Sequence, residues 1–191
     1  DYDEYVQDDD MHDPTPSNRP HEEIPFSMGI SFTEYLKSQV YLTKMDKPDR
    51  HIAKFVVGNI DNDGYLRRTV EELVDDLSFR EGLVVTDQKM QEIVEQVKQF
   101  EPVGVGAYDL RECLLIQLEQ KICTPSVAHA ITILTNHYDA FYRHQSTKIC
   151  QRMMITEEEF KEAANEILHL NPRPGSAWLG TTAERNQSIV I

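Results

Sequence analysis

The stretch GNIDNDGYLRRTVEEL, residues 58 to 73, predicts a helix end, a tight turn and a new helix in immediate succession. Residues 61 to 64, Asp-Asn-Asp-Gly, favour a turn because Asp and Asn side chains accept hydrogen bonds from nearby amides and glycine adopts a positive φ without strain. Thr69 and Glu72 then have the spacing of a capping box, the signature of a helix N-terminus. The stretch therefore predicts two helices joined by a short turn.

The same stretch has the beginning of a calcium-binding EF-hand loop. Its first, third, fifth and sixth places hold Asn59, Asp61, Asp63 and Gly64. The twelfth place, which needs a bidentate Glu, holds Val70, and Glu71 comes one residue too late. We therefore interpret the stretch as a turn and expect neither a metal ion nor another cofactor.

Acidic residues are concentrated at the N-terminus of this chain of net charge −14. Residues 1–28 contain nine acidic residues, one arginine and four of the nine prolines. Such a segment has too few apolar residues to offset the entropy lost on ordering, so a disordered acidic tail is predicted. The remainder is also net acidic, which argues against independent, tight binding to nucleic acid.

The cysteines and the hydropathy pattern favour a cytoplasmic protein. The three cysteines, Cys113, Cys123 and Cys150, are odd in number and never spaced C-x-x-C, which fits reduced thiols and neither a disulfide framework nor a zinc site. No apolar run reaches 18 residues, and the N-terminus has no basic-then-apolar pattern. We expect no membrane span and no signal peptide.

Every strong apolar pattern after residue 28 has the period of a helix, so an all-α fold is predicted. Ser31-Phe-Thr-Glu34 and Thr156-Glu-Glu-Glu159 have capping-box spacing like that at Thr69, and Thr124-Pro125 is a typical helix start. The predicted helical segments lie at about 31–45, 48–60, 69–77, 86–100, 107–121, 124–141, 147–153 and 156–168.

The segment Pro102-Val-Gly-Val-Gly106 divides these helices into two groups. It lacks the Lys-Ser/Thr of a phosphate-binding loop and follows a helix, so a hinge or turn is favoured. The predicted architecture is two small helical bundles, 29–103 and 104–180, joined by a Pro/Gly hinge.

Three stretches together resemble the core-binding region of the sigma-54 factors, the nitrogen-type bacterial sigma factors. They are the opening stretch, QFEPVGVGAYDLRECLLIQL at 99–118 and LNPRPG at 170–175, and the resemblance covers roughly residues 29–175. The turn and hinge residues that carry it are Asp61, Asp63, Gly64, Pro102, Gly104, Gly106, Asp109, Arg111 and Glu112. Tyr108 stands where the family commonly has Arg.

The resemblance implies a non-catalytic partner of RNA polymerase. A sigma-54 factor binds core RNA polymerase, directs it to promoter DNA and waits for an ATP-dependent activator. We find neither the family's promoter-reading helix-turn-helix nor its glutamine-rich activator segment, so the chain is expected to be a fragment that keeps polymerase binding alone. Residues 181–191 would begin the linker toward the DNA-binding region. The family points to the first bundle as the principal contact, with candidate residues Tyr65, Leu66, Arg67 and Arg68.

The sequence disfavours two other functions. Residues 147–168 can be drawn as a helix-turn-helix that binds DNA, but the second helix carries Glu157, Glu158, Glu159, Glu162 and Glu166 against one Lys161. These carboxylates would repel phosphates. An enzyme is disfavoured because the chain has no G-x-S-x-G or H-E-x-x-H pattern.

Overall fold

The computed structural model describes residues 30–178, which form helices and connecting loops. The helices are α1 (Phe32–Leu42), α2 (Lys47–Gly58), α3 (Val70–Glu81), α4 (Asp87–Val97), α5 (Leu110–Glu119), α6 (Pro125–Asn136), α7 (Tyr138–Tyr142), α8 (Ser146–Met153) and α9 (Glu157–Leu168). Residues 174–178 form a further helical segment, α10. The only β pairing within this part of the chain is an isolated antiparallel bridge between Ile60 and Leu66. The all-α prediction is confirmed, and the predicted tail and linker lie outside the described residues.

Side-chain caps explain where most of these helices begin. In seven of the helices, the N-cap side chain accepts a hydrogen bond from the amide three residues later; these caps are Ser31, Asp46, Thr69, Thr86, Asp109, Thr124 and Thr156. The capping boxes at Thr69 and Thr156 are complete. The box predicted at Ser31 forms only its first bond, and the Glu34 carboxylate pairs with Lys37 instead.

Several predicted boundaries were wrong by part of a turn or more. The helix predicted for 31–45 ends at Leu42, and the helix predicted to end near 77 continues to Glu81, where Gly82 closes it with a φ of +66°. The pattern over 124–141 is two helices with a break at His137. The apolar period continues past this break, and Arg111 donates hydrogen bonds to the carbonyls of the last turn of α6.

The buried side chains form two large cores. The first is built by α1 to α4, with α2 packed against both α1 and α4. The second is built by α5 to α9, with α6 packed against α5 and α9. Between them lies a small buried cluster of Tyr65, Ala107 and Cys113.

The segment after α9 returns to the first core. The ring of Trp178 in α10 lies 4.9 Å from the ring of Tyr35 and 5.6 Å from that of Phe32, centroid to centroid. The two bundles predicted from the sequence are therefore not fully separate. The segment α10 follows the second bundle in the chain but packs on the first core. No helix in residues 30–178 has the length and apolar character needed to cross a membrane.

Candidate functional site at the junction of the two cores

The turn at residues 61–66 is organised by one carboxylate. Oδ1 of Asp61 accepts hydrogen bonds from the amides of Asp63 and Tyr65, at 3.0 and 2.8 Å, and Oδ2 accepts one from Nε of Arg67 at 3.0 Å. Gly64 has a φ of +99°, as the turn prediction requires. Donors of the chain itself thus occupy the Asp61 oxygens that an EF-hand would offer to calcium. No group of His, Cys, Asp or Glu side chains suited to a metal ion is found within residues 30–178.

The loop predicted as a hinge is bonded to this turn. The amide of Gly106 donates to the carbonyl of Gly64 at 2.8 Å, and the amide of Leu66 donates to the carbonyl of Ala107 at 2.9 Å. Gly104 has a φ of +96°, and a Cβ added there would lie 2.8 Å from Sγ of Cys113. The carbonyl of Pro102 accepts a bond from the amide of Val105. Gly104 therefore allows the backbone of this loop to approach α5 closely.

The LNPRPG stretch closes on the turn from the other side. The amide of Gly175 donates to the carbonyl of Asp63 at 3.0 Å, and Oγ of Ser176 donates to Oδ1 of Asp63 at 2.7 Å. A Cβ on Gly175 would overlap the carbonyl oxygen of Asn62. The hydroxyl of Tyr65 donates to the carbonyl of Pro172, and burial raises the pKa of this hydroxyl. This stretch, known from the sequence only as part of the family resemblance, is thus a structural part of the junction.

Gln117 holds the same stretch through both ends of its amide. Its Nε2 donates to the carbonyl of Asn171 at 2.7 Å, and its Oε1 accepts from the amide of Asn171 at 2.9 Å. The neighbouring thiol of Cys113 is buried, and this burial raises its pKa. In the sequence, Gln117 shares one helical face with Leu110, Cys113, Leu114 and Leu118. A polar residue on that face is the signal that could have identified it.

The N-terminus of α5 connects to the first core through a buried ammonium. Asp109 caps the helix, and the Glu112 carboxylate accepts bonds from the Tyr108 amide at 2.7 Å and from Nζ of Lys98 at 2.6 Å. Lys98 is only 4% exposed and also pairs with Glu95. Burial alone would lower the pKa of Lys98, but the hydrogen bonds to Glu112 and Glu95 raise it above its usual value. The Tyr108 ring, at the position that departs from the family pattern, lies 4.8 Å from this ammonium.

Arg111 bonds to the end of α6, a helix of the second core. Its Nε donates to the carbonyl of Leu134 at 2.8 Å, and its Nη2 donates to the carbonyl of Thr135. The residues that carry the family resemblance therefore join backbone segments and do not converge on one cavity.

The four candidate contact residues divide into two kinds. Tyr65 and Leu66 are 5% and 0% exposed, so both side chains are buried. Arg67 pairs with Asp61 and lies 4.7 Å from the Tyr65 ring, while Arg68 pairs with Asp76. The Arg67 side chain is 59% exposed, the largest exposed fraction of the four. A role of Tyr65 or Leu66 in binding would act through the fold of the turn.

The helix-turn-helix drawn over residues 147–168 has its two helices in the structure, as α8 and α9. Glu157, Glu158, Glu159 and Glu162 are exposed on α9. This face would repel a phosphate backbone, so nothing in the structure favours the DNA-binding alternative.

The described residues thus form an all-helical protein in which the motif residues fix two cores relative to each other. The chain matches the family model described as "Sigma-54 factor, core binding domain" over residues 25–190, and it belongs to this family. It is similar to proteins named RNA polymerase sigma-54 factor. Identity is 34% over 159 residues with that of Pseudomonas aeruginosa, 34% over 160 with that of Escherichia coli K12 and 36% over 161 with that of Salmonella typhimurium. These alignments cover 82 to 83% of the chain and 32 to 33% of each relative, so the chain spans about a third of their length.

Proposed function

We propose that this chain binds core RNA polymerase as the polymerase-docking part of a sigma-54 factor in the cytoplasm. The observation that carries the proposal is the match to the core binding domain over residues 25–190. Sigma-54 factors are specificity subunits and not catalytic enzymes. In the whole protein, other regions would direct the polymerase to promoter DNA and respond to an ATP-dependent activator.

The first bundle, residues 29–103, is proposed as the principal contact. Its surface carries large apolar side chains that no described residue covers: Phe79 is 91% exposed and Leu42 is 85% exposed. Single exposed apolar residues are common on protein surfaces, so these two are test positions and do not by themselves define an interface. Arg67 and Arg68 add positive charge for an acidic partner surface, while their ion pairs with Asp61 and Asp76 also serve the turn.

Binding to purified core RNA polymerase tests the proposal. The chain should bind polymerase in biolayer interferometry and should fail to shift a promoter fragment. Deleting residues 1–25 should leave the affinity unchanged, because the tail lies largely outside the family match. Absence of polymerase binding by the folded wild type, or sequence-specific promoter binding, would overturn the proposal.

A surface variant tests the assignment to the first bundle. Leu42→Ser combined with Phe79→Ser should weaken polymerase binding at least tenfold without lowering the melting temperature, since both side chains are exposed. Ile122→Ser is the matched control, because Ile122 is 87% exposed and follows α5 in the second bundle. Equal affinities of the double variant and the control would exclude these two residues as contacts.

A further inference from the structure

Two cavities adjoin on the surface of the second core. The larger, about 700 Å³, is an apolar groove between α5, α7, α8 and α9. The smaller, about 290 Å³, is a polar pocket at the α6–α7 junction. Tyr138 and Gln145 line both cavities, so the two are immediate neighbours. We call the larger the apolar groove and the smaller the cationic pocket.

The cationic pocket concentrates positive charge in a chain of net charge −14. Its lining includes Arg111, Arg143, Lys148 and Arg152, and its only acidic residue is Asp139. Arg111 is committed to the carbonyls at the end of α6, but the other three cations form no ion pair with any residue in the range 30–178. Three unpaired cations at one cavity suit an anionic ligand.

The N-terminus of α8 adds to the positive electrostatic potential of the cationic pocket. α8 begins beside Gln145, which makes no side-chain cap, so the amides of its first turn are free to face an anion. This contribution is secondary to that of the three cations, but it has the same sign.

The apolar groove favours a ligand that carries apolar side chains as well as charge. It is lined by side chains that include Leu110, Leu114, Phe141, Ile149, Phe160 and Leu168. Leu168 is 73% exposed at its edge, and the neighbouring Tyr142 is 72% exposed. An apolar side chain entering this groove would leave water together with these residues, a gain that a phosphate backbone cannot obtain.

We propose that the apolar groove and the cationic pocket form one docking site for an acidic peptide segment with apolar anchor side chains, and that this segment belongs to core RNA polymerase. Carboxylates of the segment would lie against Arg143, Lys148 and Arg152 while its apolar side chains fill the groove. The source of the segment rests on the proposed function. A nucleic acid fits less well, because α9 borders the groove with Phe160 and carries exposed carboxylates such as Glu157 on its surface.

Charge reversal tests the cationic pocket on the whole chain with core RNA polymerase as the probe. The triple variant Arg143→Glu, Lys148→Glu, Arg152→Glu should weaken binding at least tenfold at low salt, and its affinity should depend less on salt than that of the wild type. Lys161→Glu is the control, since Lys161 is exposed on α9 and lines neither cavity; it should change affinity less than twofold. Leu168→Gln should weaken binding at least threefold and leave the salt dependence unchanged.

The outcomes separate this inference from the proposed function. Failure of the wild type to bind polymerase overturns both. If the wild type binds, and the triple variant and Leu168→Gln bind with the same affinity, the docking site alone is overturned. Three further measurements test other occupants of the docking site. They are binding to a 30-base-pair DNA duplex, binding to a synthetic peptide of residues 1–13, and self-association of the chain alone by sedimentation. The docking site is also refuted if the triple variant loses affinity only for the duplex or the peptide, or loses only self-association, while polymerase affinity is unchanged.

Discussion

Gly64→Ala is expected to destabilise the protein by about 2–6 kcal/mol, because two costs add at this position. The φ of +99° lies in a region that costs a non-glycine residue about 1–3 kcal/mol. The new Cβ would also lie 2.9 Å from Cγ of Pro174 and 3.1 Å from N of Gly175, closer than packed atoms allow. Moving the 174–175 segment aside costs about 1–3 kcal/mol as overpacking does, and it strains the bond from the Gly175 amide to Asp63.

Two other glycines separate these costs. Gly82 has a φ of +66° but no atom within 4 Å of an added Cβ, so Gly82→Ala should cost only about 1 kcal/mol, the backbone contribution alone. Gly58 ends α2 with open space around it, and Gly58→Ala should be neutral or stabilising by up to about 1 kcal/mol.

Urea unfolding at 25 °C followed by circular dichroism gives the three free energies. Hydrogen exchange at the Gly175 amide should quicken in Gly64→Ala and not in Gly82→Ala, because only the former displaces the LNPRPG stretch. If Gly64→Ala lowers the free energy of unfolding no more than Gly82→Ala does, and hydrogen exchange at the Gly175 amide is unchanged, the reasoning about close approach is refuted.

Three further outcomes follow from the same geometry. Gln117→Ala should cost about 1–3 kcal/mol in urea unfolding because it removes the side-chain bonds to both backbone groups of Asn171, whereas Gln120→Ala, at an exposed position, should change stability by less than about 0.5 kcal/mol. The exposed Cys123 should react with a thiol reagent at once, while Cys113, buried and with a raised pKa, should react only after denaturation; rapid labelling of both thiols in the native protein would contradict the buried junction. Millimolar calcium should leave the melting temperature unchanged, and a rise of several degrees would reveal a ligand set in the opening stretch.

Local signals made most of the helices predictable. The caps at Thr69, Thr86 and Thr156 act within four residues, so the sequence shows them directly, and the structure confirms them. The turn at 61–64 was predictable for the same reason, since the backbone amides that donate to the Asp61 carboxylate lie two and four positions away. The family resemblance was also carried by short stretches that can be recognised without a structure.

Long-range contacts were not predictable from these patterns. Gln117 bonds Asn171 across 54 positions, and Ser176 bonds Asp63 across 113. The carbonyls that α6 leaves free at its end are also bonded by a distant residue, Arg111. The return of α10 to the first core could not be anticipated, since helical periodicity says which face is buried and not against which partner.

Competition for core RNA polymerase tests the central claim most directly. A labelled full-length sigma-54 factor is bound to core polymerase, and the unlabelled chain is added in increasing amounts while fluorescence anisotropy is followed. The wild-type chain should displace the labelled factor. The Gly64→Ala variant should displace the factor only under conditions in which the variant remains folded. A folded wild-type chain that leaves the labelled factor bound at large molar excess, and that shows no binding of its own, would contradict the claim that this chain docks on polymerase.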